Sequence, residues 1–233
     1  MLAYRGTQGK QDWKTNALQS IGKETDHYKR AMNITKQANE KLGDKLEITG
    51  HSLGGGMATA AGIVSGTKTY AYNPAGVHPA TLERFGDFSR EDAFKQVNGQ
   101  PLVDNVVIPG ELLTGLQSPE LQRSAMLASA AVAPVQTIVG LSRNRAFREQ
   151  GTVSYGMAGV RHDVPLLGNA HEVAEALANG GEPIQGMTPS KAGQIRAAMG
   201  PLKKIDMHSM PVVIAGIEQQ KADDLNIIDH QVK

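Results

Sequence analysis

Cysteine is absent from the 233 residues. That excludes disulfides, thiol nucleophiles and thiolate metal sites, and it fits synthesis in a reducing compartment. A strong charge of one sign is also missing: 24 Lys and Arg against 23 Asp and Glu leave a formal net charge of +1. No basic run accompanies this balance, so no nucleic-acid partner is expected. The opening Met1 to Thr7 has no basic stretch leading into an apolar one, so no signal peptide is expected. Synthesis in the cytoplasm follows, with export by a specialised route left open. Long apolar runs are scarce. The nearest is Ser124 to Leu141, 18 residues without charge but rich in Ala and interrupted by Pro134. Its modest hydrophobicity argues against a membrane span. A buried or half-buried helix pair is the expectation, with a lid or membrane-touching element as the alternative. The remainder is ordinary: 40% apolar and 20% charged residues, enough for a single domain over 1–233 with a real core.

Along the chain, short apolar runs alternate with helical stretches. Leu2 to Tyr4 reads as a strand and Arg5-Gly6-Thr7 as a turn. Asp12 to Leu42 reads as one long helix ended by Gly43. Lys45 to Thr49 is a strand, Gly50 to Gly56 a glycine-dense turn, and Met57 to Val64 a helix of small residues. Thr67 to Tyr72 and Val103 to Ile108 are further strands. Such alternation predicts an α/β fold: a mostly parallel sheet flanked by helices. Beyond Ile108, Gly140 to Pro165 reads as loop-rich, and Ala170–Asn179, Ser190–Met199 and Val212–Gln220 as helices. Residues 118–200 or so form a helical insert or lid-like region in this reading.

The turn at Gly50-His51-Ser52-Leu53-Gly54 carries chemistry. A serine hydroxyl is a poor nucleophile until a base takes its proton and donors stabilise the oxyanion it creates. Gly-x-Ser-x-Gly between a strand and a helix lifts the hydroxyl clear of the sheet. It also aims the Leu53 N–H at the reacting carbonyl. Chance alone yields about 0.1 such matches at ordinary residue frequencies. The flanking strand and small-residue helix raise it above an unrelated glycine turn, and point to an α/β-hydrolase-like chain with Ser52 as nucleophile. The usual chain order is Ser, acid, His. His162, His171, His208 and His230 follow in position to serve. His208 suits best, in a loop before the apolar Pro211-Val212-Val213-Ile214; His162 is the alternative. The spacing of His162, Asp163 and His171 matches no zinc motif, so no metal is expected.

Tyr4-Arg5-Gly6-Thr7 with Asp12-Trp13, then Gly-His-Ser-Leu-Gly-Gly, then Tyr72-Asn73-Pro74-Ala75-Gly76, resembles the lipase class 3 family, more narrowly its bacterial phospholipase-like members. The similarity runs from Leu2 to about Gly76, resuming near Val106 and at His208. It implies that Thr7 lies in the oxyanion loop opposite Leu53. It also implies that Glu111, just after the strand Val103 to Ile108, stands where the family carries its triad Asp; Asp104 and Asp163 are the alternatives. The family carries more strands ahead of Arg-Gly-Thr, which leaves a chain truncated at its N-terminus or a minimal hydrolase. The function implied is a serine ester hydrolase acting on lipid esters, lipase or phospholipase, without a cofactor. Its partners would be a lipid or other acyl-ester substrate and, transiently, a membrane surface. An esterase or thioesterase for short soluble acyl groups, or a non-catalytic binding module, are the other readings.

Overall fold

The computed structural model describes residues 1–6, 19, 22–109 and 111–164. Between 210 and 221 it describes 210, 213, 214, 216–218, 220 and 221. The elements run β1 (Leu2–Tyr4), α1 (Asp26–Leu42), β2 (Glu47–His51), α2 (Leu53–Ser65), β3 (Lys68–Tyr72) and α3 (Pro79–Glu83). They continue with β4 (Gln96–Val97), β5 (Gln100–Pro101), β6 (Val103–Val107), α4 (Leu112–Gln117), α5 (Pro119–Val132), α6 (Pro134–Arg143), α7 (Arg145–Gln150) and β7 (Val160–Asp163). Five strands make one sheet in the order β1-β2-β3-β6-β7. The small β4-β5 ladder is separate and antiparallel. β2 lies parallel to both neighbours, with Tyr4 opposite Gly50 and Gly50 opposite Ala71. This is the mostly parallel, helix-flanked sheet of an α/β-hydrolase-like fold.

Helix α2 lies in the core. Every residue from Leu53 to Val64 is buried. A helix apolar all round belongs inside a protein, and Gly, Ala and Thr let this one press against β1, β2 and β3. α1 covers its outer side and buries Tyr28, Ala31, Met32 and Thr35. The Tyr4 hydroxyl donates to Ala31 O (2.8 Å), tying the end of β1 to α1.

The chain divides into two compact units. The first, Met1–Asn105 with Gly115–Arg161, contains the main core, including Tyr28, Met32, Ile48, Leu53, Leu82 and Val103. The second, Val106–Thr114 with His162–Lys233, buries Val107, Ile108, Glu111, Val164 and Val213. There Val164 N–H donates to Val107 O (2.9 Å).

Several boundaries differ from the sequence reading. The long helix starts at Asp26, because Gly22 turns at φ +76° against the His78 ring, and a Cβ there would stand 2.5 Å from it. The elbow helix starts at Leu53 rather than Met57, since packing on the sheet overrides the low helix propensity of Gly54 to Gly56. Gly140 to Pro165 is not mainly loop: it includes the end of α6, all of α7 and the strand β7. Ser124 to Leu141 is indeed two helices parted at Pro134, but they are not buried. Leu127, Val132, Val135 and Ile138 are between 65% and 87% exposed. The helices expected at Ala170–Asn179 and Ser190–Met199 lie outside the described residues; within Val212–Gln220 the described positions are helical.

Candidate active site

Ser52 has φ 59° and ψ −124°. For a residue with a Cβ this conformation costs roughly 1–3 kcal/mol and persists only where its surroundings impose it. Three hydrogen bonds do so. Ser52 N–H donates to Tyr72 O (3.0 Å), while Ser52 O accepts from Gly56 N–H (3.1 Å) and Ala75 N–H (3.0 Å). The motif's two glycines are contact points. A Cβ on Gly50 would stand 2.1 Å from Gly54 O, and one on Gly54 would stand 2.1 Å from Tyr4 O. The chain leaving β1 passes close over Ser52: a Cβ on Gly6 would meet His51 O at 2.8 Å and Ser52 Cβ at 3.4 Å. Leu53 is the first residue of α2. Its N–H is one of the first-turn donors for which a helix offers no internal acceptor, at the positive end of the helix dipole. The Ser52 hydroxyl and the Leu53 N–H are therefore adjacent at the end of a parallel strand. Burial pushes the Tyr72 and Tyr4 phenols up, the latter partly offset by the Thr35 hydroxyl, so both stay neutral.

Glu111 is fully buried. Its carboxylate accepts the N–H groups of Leu113 (2.8 Å) and Thr114, so it caps the start of α4 with negative charge where the helix dipole favours it. A carboxylate fixed this way is pre-oriented. The rival acids fare differently. Asp104 is engaged with Lys68, Nζ to Oδ2 2.5 Å, and that ammonium also bonds Pro101 O. Asp163 lies with His162 at the exposed end of β7 rather than in a loop. Ser52 and Leu53 thus share one turn in the first unit, and Glu111 belongs to the second. Thr7, His171, His208 and His230 lie outside the described residues. Among the described residues, no three of His, Cys, Asp and Glu gather as a metal site.

Two contributors escape a sequence reading. The Ala75 N–H clamps Ser52 O, and only the quoted Tyr72 to Gly76 segment hints at it. Gln117 donates its side-chain amide to Pro74 O (2.9 Å), fastening the end of α4 to the same turn. Nothing in the sequence around Gln117 signals this.

The sequence pattern of the Tle-like phospholipase domain matches residues 1–161, covering the elbow, the strand ends around it and Glu111. The chain belongs to this family. Extracellular phospholipase A1 of Serratia liquefaciens is 42% identical over 86 residues, 37% of this chain and 27% of the relative. The similarity to bacterial phospholipase-like proteins read from the motifs is borne out. In this Tle-like phospholipase domain the matched segment ends before His208, so that residue rests on its sequence context alone.

Proposed function

We propose that this Tle-like phospholipase domain hydrolyses acyl ester bonds of lipids through an acyl-enzyme on Ser52. The observation that carries the proposal is the strained Ser52 at the mouth of a buried helix, φ 59° and ψ −124°, since strain of this kind gathers at reactive positions. His208 takes the Ser52 proton as Oγ attacks the acyl carbonyl. The N–H groups of Leu53 and Thr7 receive the oxyanion, and Glu111 orients the imidazole. The ester bond breaks and the alcohol or lysolipid leaves with the proton from His208. Water, deprotonated by the same imidazole, then attacks the acyl-enzyme and frees the fatty acid and Ser52. The family membership and the phospholipase A1 relative support lipid as the acyl source.

A fluorophosphonate probe tests the nucleophile. Labelling at Ser52, lost in Ser52→Ala, is the expected result; folded protein that takes no label overturns the reading. A p-nitrophenyl ester series then tests the lipid assignment. Turnover confined to two- to four-carbon acyl groups, with no release of fatty acid from phospholipid, would favour the soluble-esterase reading.

A further inference from the structure

Helices α5 and α6 form a hairpin whose apolar residues face outward. Val132 and Val135, on either side of the Ala133-Pro134 turn, are 87% and 68% exposed, and Leu127, Ile138 and Val139 join them. From Ser124 to Ser142 there is no charged side chain. The hydroxyls in this stretch are internally satisfied. Ser124, Ser129, Thr137 and Ser142 each donate to a carbonyl of their own helix, at Glu120, Ala125, Ala133 and Val139. Of the side chains in this stretch, Gln136 keeps polar atoms without such a bond. Hydroxyls closed on their own helix lower the cost of an apolar environment.

Charge sits at the base of the hairpin. Residues 119–150 hold Arg123, Arg143, Arg145 and Arg148 against Glu120 and Glu149. Arg145 pairs with Glu149 and with Glu83 of α3. That leaves Arg123, Arg143 and Arg148 exposed, with Glu120. At 1.5 Å rise per residue, Arg123 and Arg143 lie about 12–14 Å along their helices from Val132 and Val135. This is close to the depth of one hydrocarbon leaflet, about 15 Å. With the tip inserted, the guanidinium groups reach lipid phosphates. Among the described residues no helix is long and apolar enough to cross a membrane. Its root is fastened to the nucleophile's turn: Gln117 holds Pro74 O, and the next residue, Ala75, holds Ser52 O.

We infer that the α5-α6 hairpin is a membrane-insertion arm. It drives Val132 and Val135 into one leaflet of an anionic bilayer and brings Ser52 to the ester level. The role in substrate delivery rests on the lipid-hydrolase proposal; insertion itself is testable without it. In a Ser52→Ala protein, Val132→Trp is compared with its parent, which retains Trp13. The vesicles are phosphatidylcholine, with and without phosphatidylglycerol, bearing brominated acyl chains. The expected result is a blue shift and bromine quenching of the added indole, stronger with phosphatidylglycerol. Vesicle flotation of otherwise unaltered protein provides a second readout. Val132→Asp with Val135→Asp should weaken it at least about tenfold, and lower phospholipid hydrolysis to match. Hydrolysis of a soluble short-chain ester should stay within about twofold. An indole untouched by vesicles overturns the inference. So does an indole already shielded without them, which would mean that another segment, a protein partner or a second copy covers the tip. Insertion in a protein that hydrolyses no ester would uphold the arm and refute the enzyme.

Discussion

The turn around Ser52 has no room for one added methyl group at Gly54. At Gly54 an added Cβ would lie 2.1 Å from a backbone carbonyl of β1, and neither backbone can retreat from the packed sheet. Gly54→Ala should destabilise the protein by about 3 kcal/mol, read as a lowered urea midpoint, with fluorophosphonate labelling lost in the same variant. Glu111 makes a different demand. Its carboxylate accepts two N–H groups from the start of α4, one on each oxygen, so Glu111→Gln keeps the shape, removes the charge and turns one acceptor into a donor. Stability should fall by about 2 kcal/mol. Turnover should fall by roughly a hundredfold or more if the imidazole loses its orienting carboxylate. Near-normal turnover in the folded variant would remove Glu111 from the triad. Its burial and role as a helix cap could not be read from the sequence, where Glu111 is one carboxylate among 23 acidic residues. Asp104 was an alternative there, and the structure engages it with Lys68.

At the scale of elements, the strands and the elbow were largely legible. β1, β2, β3 and β6 depend on local alternation and on β-forming residues, and the structure moves their ends by no more than two residues. The α5-α6 pair was legible as helices but not as an exposed hairpin. Periodicity records which residues are apolar, whereas exposure depends on what packs against them. The hairpin's root shows this. Buried Gln122 accepts the N–H groups of Val153 (2.7 Å) and Ser154 (3.1 Å) and donates to Ser154 Oγ (3.2 Å). Gln122→Ala removes the acceptor of two part-buried amides and should cost about 1 kcal/mol. Hydrogen exchange should quicken first at Val153 and Ser154. Unchanged protection at these amides would show that α5 is held elsewhere.

For the molecule as a whole, acid stability depends on a residue outside the elbow. His78 is buried, edge-on to Tyr155 at 4.8 Å between ring centroids, and its Nδ1 accepts Ala80 N–H (3.1 Å) at the start of α3. Burial, then the Arg145 charge, holds its pKa below the usual histidine value. The unfolded chain therefore takes up the proton first. Stability from neutral His78 is complete above that usual value and is lost as pH falls through the lower native one. His78→Asn keeps a capping acceptor without a titration. Urea midpoints near pH 7.5 and about pH 5.5 should differ less in this variant than in the parent. An equal acid loss in both would place the sensitivity elsewhere. Sequence alone determined the α/β-hydrolase-like class and the candidate nucleophile, because strand, turn and close-packed helix around Ser52 are contiguous and their constraints are local. Tertiary structure decided that Asp104 is bound to Lys68, that Gln117 fastens the Ser52 turn, and that the valines of the hairpin face outward. Each of these depends on residues far apart in the chain meeting, or failing to meet, and no local pattern encodes that.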